Sequence, residues 1–485
     1  VSSVFWGELL GGLATAVALT VVSLIVMRPA ARLFLAPYLS RLARDDYRDS
    51  LLGVWNLMRH VGGQTLVETL MRATSGEALS RPMGSPRSPS PWDDLLLQPV
   101  SVAPHPPAPD TAVPDTTLTV GPQARHPLVC AMPILVGATG DGGALATPAR
   151  MALAAGATRA GTAICLDAPL PAPHRDATRG LVRQMRPGVW NGSALGALDA
   201  LAEADAVEIR LGPDSPAVPG ISAPPSGLAD LGTSFLAAVG AVADDPELKA
   251  ARLLADGSAG GMVRLVQALR ARMDGPVGAR LPGSSRLEQE LEVLVGAGVD
   301  FVTVEGVEGG ARAGAPTLQD DVGLPTLYAV VRADRCLRAL GARERVTLLA
   351  IGQLVDPGRI LKAIALGADG VYTQTAVLVA AMADQMKKTL PWEPPFDLVL
   401  RADPPHWRQA FDVDRAAGHV AAYLRSTMAE VEMALRALGK SRLRDLSPAD
   451  LVALRAELAA AVGVAAAWAV PTPSPSALER LLGRL

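Results

Sequence analysis

Carboxylates and glycines are interleaved in the run EGVEGGARAG, which starts at the end of the strand-like Asp300 to Glu305: Glu305 and Glu308 with Gly306, Gly309, Gly310 and Gly314. A carboxylate can take or give a proton, and glycine tolerates positive φ and lets main-chain N–H groups come close to a bound group. The same run also reads as a solvent-exposed turn between a strand and a helix. Arg280, in ProValGlyAlaArg, is a fixed cation at the end of another strand-like run. There it could stabilise an anionic ring or a carboxylate, or it could form an ion pair with Glu305 or Glu308. Two further loops are Ile351 to Gly358 and Gly367 to Ala376. Gly352, Gly358 and Gly370 offer open backbone, and Thr373, Gln374 and Thr375 offer donors, a pattern suited to a phosphate. Asp320 and Asp321 are better placed to hold the loop before the next helix.

These loops need strands to carry them. Strands are expected at Leu128–Ala138, Gly161–Cys165, Val182–Met185, Ala206–Gly212, Pro276–Leu281, Asp300–Glu305, Val346–Leu354 and Gly370–Leu378, with helical apolar spacing between them, as in Leu287–Leu294, Leu324–Leu340 and Ile360–Leu366. Eight strands alternating with helices fit an α/β chain folded as a (β/α)8 TIM barrel, whose active face lies at the strand C-termini. An open doubly wound sheet has the same periodicity and stays open as an alternative.

The flanks read differently. Leu9 to Met27 holds 19 residues without a charge, and Arg28, Arg32, Arg41 and Arg44 follow. That is the pattern of a transmembrane anchor with the bulk of the chain in the cytoplasm; a buried helix and a signal peptide are the alternatives. The expected organisation is an anchor over residues 1–30, a helical collar and proline-rich linker over 31–127, the barrel over 128–390 and a C-terminal helical extension over 391–485. In the collar, Ala43–Ala73 is amphipathic, and the proline-rich runs Arg81–Pro91 and Ala103–Pro114 read as linkers around the apolar patch at Trp92. In the extension, helices are expected at Asp414–Leu438 and Ser447–Val462, and the alanine-rich run Ala459–Val470 reads as core or as a homo-oligomer contact.

Composition excludes some partners. A net charge of -3 and 4% aromatic residues argue against a nucleic-acid surface. Cys130, Cys165 and Cys336 are far apart with no CxxC pair, so neither structural zinc nor an iron–sulfur cluster is expected, and the scattered histidines form no triad.

The residues also carry a likeness. GVDFVTVEGVEGGARAGAPTLQDDVGLPTLYAVVRA (Gly298 to Ala333), the loops at Gly352 and Gly367, ALAAGATRAGTA (Ala152 to Ala163), ADAVEIRLG (Ala204 to Gly212) and WDDLLLQPV (Trp92 to Val100) together resemble the FMN-binding glutamate synthase family. The chain looks most like its stand-alone members with a membrane-anchored N-terminus and PWEPP after the barrel; the likeness runs from about Trp92 to Leu454. It implies an FMN flavoprotein that builds glutamate reductively from 2-oxoglutarate and ammonia, with an electron donor the sequence does not identify. The resemblance would place Gly137, Ala138 and Thr139 against the flavin and Gln184 facing its ring. Arg280 would stand where the family usually has lysine, Gly309 and Gly310 would line the substrate side, and Gly352, Gln353, Thr373 and Gln374 would surround the phosphate.

Several positions depart from the family pattern. Cys165 and Ala168 stand where an asparagine and a glutamate are usual, and the loop from Gly212 to Gly220 has lost its usual Gln, Gly and Lys character. Gln353 and Gln374 replace glycines; a Cβ at a left-handed position costs about 1–2 kcal/mol. These departures favour a second reading, a catalytically silent barrel kept as a binding or assembly module at the membrane.

Overall fold

The computed structural model describes residues 33, 58–76, 79, 81, 84–101, 113–137, 145–167, 170–185, 204–211, 259–309, 315–386 and 411–469. These belong to two compact units, residues 1–79 and 80–485. In the first, helix α1 (Gly63–Ser75) buries none of its side chains and ends at Gly76 in a left-handed cap. It covers part of the expected amphipathic collar.

In the second unit, β1 (Leu95–Leu97) precedes a hairpin of β2 (Leu118–Val120) and β3 (Leu128–Cys130). Eight parallel strands then close into a barrel: β4 (Ile134–Val136), β5 (Ile164–Leu166), β6 (Leu181–Met185), β7 (Ala206–Arg210), β8 (Val277–Pro282), β9 (Phe301–Glu305), β10 (Thr347–Ile351) and β11 (Gly370–Thr373). Closure comes from β11 pairing with β4, Val371 opposite Ile134, which decides between a barrel and an open sheet. The expected first strand, Leu128–Ala138, is two strands in different sheets, because Pro133 and its neighbours break the run between Cys130 and Ile134. The expected Gly370–Leu378 strand turns at Gln374 into a helix.

Helices α2 (Thr147–Ala160), α3 (Ala172–Ala177), α4 (Ala259–Arg270), α5 (Leu287–Ala297), α6 (Pro316–Asp320), α7 (Thr326–Ala339), α8 (Pro357–Ala365) and α9 (Thr375–Met382) lie between or after the strands, two of them, α6 and α7, between β9 and β10. The start of α8 combines Pro357 at its first position with Asp356, whose side chain accepts from Arg359 N. Apolar residues form two clusters. The larger lies between strands and helices. The smaller fills the barrel interior, where Leu118, Val120, Leu128 and Cys130 of the hairpin join Leu135, Phe301, Leu349 and Tyr372 and so floor the barrel.

After the barrel, α10 (Val413–Ala437) packs on α2 so closely that a Cβ at Gly156 would lie 2.6 Å from Val420. The expected helix Ser447–Val462 is instead a short 3-10 turn, strand β12 (Leu451–Ala453) and helix α11 (Ala456–Val462). β12 pairs antiparallel with β1 and parallel with β13 (Ala465–Ala466), so tertiary pairing overrides the local helical pattern and the patch at Trp92 becomes sheet.

Membrane anchoring with a cytoplasmic barrel is corrected. Among the described residues no helix is long and apolar enough to cross a membrane. The 13 residues of α1 reach about 20 Å at 1.5 Å each, short of the ~30 Å hydrocarbon core. The 25-residue α10 carries Asp414, Arg415, Arg425, Glu430, Glu432 and Arg436. The run Leu9–Met27 itself lies outside the described residues.

Candidate active site

Strand alternation decides which side chains enter the barrel. On β6 to β9 the register sets Gln184 beside Glu208, Arg210 beside Arg280, Arg280 beside Thr303, and Pro282 beside Glu305. Arg280 is 1% exposed. Its Nε donates to Glu305 Oε2 at 2.9 Å, and its Nη2 lies 2.8 Å from Oε1. Arg210 Nη2 stands 3.5 Å from the same carboxylate. Burial pushes the Glu305 carboxyl up, but the two guanidiniums outweigh it and hold the group down to about 2. Burial by itself would lower the Arg280 pKa, and Glu305 and Glu208 reverse that and raise it. Of the two readings open for Arg280, the ion pair with Glu305 is present, and Arg280 Nη1 is left without a hydrogen-bond partner.

Glu308 lines the rim cavity beside Gly309, but both of its oxygens are engaged. Its Oε2 accepts from Thr326 N at 2.8 Å and Thr326 Oγ1 at 2.6 Å, and its Oε1 accepts from Ser90 N at 2.9 Å. It therefore caps the N-terminus of α7 and ties residues 84–91 to the barrel. Thr326 fits because Gly306 and Gly352 lack side chains; a Cβ at either would meet Thr326 Oγ1 at 2.0 Å.

The β10 and β11 ends form a cavity of about 250 Å³, lined in part by Ser85, Gly309, Gly352, Gln353, Tyr372 and Thr375. None of the N–H groups of Gly352, Gln353, Leu354 and Val355 donates to a backbone carbonyl among the described residues. At α9 the first such bond runs from Leu378 N to Gln374 O, which leaves the N–H groups of the helix's first turn open. Tyr423 Oη on α10 donates to Val355 O and steadies this loop. Gln353 has φ 49, the left-handed conformation anticipated for a glycine there, whereas Gln374, at φ -124, does not. The strain at Gln353 is offset because its Nε2 donates to Ser85 O and Arg87 O, each at 3.0 Å. Arg81 and Ser85 also bond Asp320, so the proline-rich run is a strap over the rim rather than a free linker.

Gly137 lies at the rim end of β4 with Gln374 packed on it; a Cβ there would sit 2.6 Å from Gln374 Cγ. Thr373 is buried at the end of β11. Gly370 is at the other end of that strand, pressed on Leu118 of the floor, and takes no part in the cavity. Ala138, Thr139 and Gly310 lie outside the described residues.

Sequence reasoning assigned no role to Glu208. It is 0% exposed, and it accepts from Gln184 Nε2 at 2.6 Å, from Thr303 Oγ1 at 2.7 Å and, more weakly, from Cys165 Sγ at 3.7 Å. The signal was present: a glutamate between Val207 and Ile209 must face into the barrel if they face out. Burial, reinforced by Glu208, raises the Cys165 pKa well above the ordinary thiol value, which favours the protonated thiol. Buried Gln184 Oε1 and Tyr372 Oη have no partner either.

Open main-chain donors at the rim fit a phosphate, and buried unpartnered polar atoms below them fit a flat polar ring. Such a site could hold a phosphorylated ring cofactor beside a fixed cation.

Residues 122–441 match the family model described as the conserved region in glutamate synthase. The chain is 28% identical to the glutamate synthase large subunit-like protein of Rhizobium meliloti, over 82% of this chain and 92% of that one. It is 34% identical to the archaeal-type glutamate synthase [NADPH] of Thermotoga neapolitana, over 24% of each chain. Among solved structures, an (S)-mandelate dehydrogenase mutant shares the fold with a TM-score of 0.51 and 17% identity, over 77% of this chain and 92% of that one.

Proposed function

Because the chain belongs to the glutamate synthase family, we propose that it is an FMN flavoprotein that forms glutamate reductively from 2-oxoglutarate and ammonia. The observation that carries this reading is the set of open N–H groups around the β10–β11 cavity. Gly352, Gln353, Thr373 and Gln374 would hold the phosphate end of FMN, with the first turn of α9 behind them. Gln184 and Arg280 would face the ring, and Gly309 would lie on the substrate side. When bound, FMN supplies two-electron hydride chemistry.

The chain's own residues would do the rest. Arg280 keeps a positive charge beside the ring because Glu305 and Glu208 raise its pKa. That charge would stabilise negative charge that develops during reduction. Apolar Leu349 and Ile351 on β10 would exclude water from that side. Nitrogen would arrive as free ammonia.

Purified protein with excess FMN tests the first half of the proposal: a flavin spectrum and a raised Tm are expected. At 100 times Kd, one-site binding adds about 2.7 kcal/mol to stability. Reduction by NAD(P)H or ferredoxin, followed by glutamate detection from 2-oxoglutarate and ammonium, tests the second. A second reading, a barrel that binds without turnover, draws on one observation: Glu305 engages two of the three Arg280 nitrogens and so screens the cation. Flavin binding without glutamate formation under any donor would favour it.

A further inference from the structure

Among the described residues, buried polar atoms without a hydrogen-bond partner gather inside the barrel: Gln184 Oε1, Arg280 Nη1, Tyr372 Oη and Thr373 Oγ1, with Arg280 Nη2 held only by its ion pair, 2.8 Å from Glu305 Oε1. The first two have partners on their other atoms, and those partners decide what they present. Glu305 engages Nε and Nη2 of Arg280, which leaves Nη1 as a donor with nothing to donate to. Glu208 engages Nε2 of Gln184 at 2.6 Å. A carboxylate accepts only, so it selects the amide's NH2 end and turns Oε1 away from itself. Thr303 Oγ1 donates to the other Glu208 oxygen and fixes the carboxylate plane in turn. The outcome is an acceptor on β6 and a donor on β8, both at inward positions.

We propose that Glu208 is a positioning residue: it sets the carboxamide orientation of Gln184, so that Gln184 Oε1 and Arg280 Nη1 offer one acceptor and one donor to a ring edge on which N–H stands next to C=O. The pyrimidine edge of FMN has that chemistry, with N3–H between two carbonyls. The inference rests on the FMN reading above and adds to it a residue that would not touch the ring. Without Glu208 the carboxamide is free to turn, and its NH2 would oppose the ring N–H.

The test compares FMN with N3-methyl-FMN, which lacks that N–H, by fluorescence titration of the full chain. Wild type should prefer FMN. One well-placed hydrogen bond accounts for about tenfold in affinity, so the preference should shrink about tenfold in Glu208→Leu. It should then match Gln184→Leu, which has no acceptor at all. A purely structural Glu208 would weaken both flavins equally and leave the preference intact; that result overturns the proposal, as does a wild type without preference. If Glu208→Leu does not fold, Glu208→Asp keeps the carboxylate but withdraws it by one methylene, and the same fall is expected. Wild type that binds neither flavin overturns the FMN reading and this proposal with it. Wild type that binds FMN, with the preference unchanged in the Glu208 variants, overturns only the positioning role.

Discussion

The two sides of the barrel mouth are built on different principles. On the β10–β11 side the open polar groups are main-chain N–H donors from residues 352–355 and the first turn of α9, and side chains mostly line the cavity. On the β6–β9 side the polar groups are side chains, Gln184, Glu208, Arg280, Thr303 and Glu305, each held by another. A main-chain cradle survives a change of side chain as long as the backbone keeps its path, which is how Gln353 can occupy a left-handed position. A side-chain network tolerates no such exchange, because removing one member strands the rest.

The contrast is broken most severely at Glu305. Glu305→Ala leaves Arg280 buried without its partner and should cost about 3–5 kcal/mol, read as a lower midpoint in urea. Acid gives the same contrast without mutation. The folded-state pKa of Glu305 lies below its ordinary value of 4.5, at about 2. Its contribution is therefore fully present above pH 4.5 and is lost as pH falls towards 2. Glu305→Gln should remove that segment from a plot of stability against pH.

On the other side, the largest effect is expected at Gly352. Its φ is 144, and a Cβ would strike Thr326 Oγ1 at 2.0 Å. Gly352→Ala should cost about 2–3 kcal/mol through strain and overpacking. Tm together with FMN titration would show it, because the cradle moves with the loop. Thr326→Val removes the hydroxyl bond to Glu308 and keeps the main-chain one, and should cost about 1–2 kcal/mol, with flavin affinity changed little. The smallest effect sharpens the comparison: Gln353→Gly relieves about 1–2 kcal/mol of strain and loses two hydrogen bonds of about 1 kcal/mol each. Stability should change by less than about 1 kcal/mol, while proteolysis at residues 84–90 should quicken.

The sequence showed the barrel well and its interior poorly. Alternation and spacing placed all eight strand regions, because a parallel barrel repeats one local pattern and each repeat is readable by itself. Leu128–Ala138 was misread because hydrophobicity cannot show that Cys130 pairs with Leu118 while Ile134 pairs with Val371. Arg280 was legible as a fixed cation, but only the register against β9 shows that Glu305, and not Glu308, answers it. Glu308 looked like an acid–base candidate from its glycine neighbours, yet it holds a helix start and the strap. The strap itself was hidden, since proline-rich composition tells that a segment is irregular and not where it is tied.

Closure of the ring by β4 and β11 has a consequence for biosynthesis. Ile134 emerges from the ribosome roughly 240 residues before its partner Val371, about 10–50 s at ordinary elongation rates. Throughout that interval the first strand of the cylinder has one neighbour and one bare edge, so the nascent chain needs shielding there until its last strand arrives.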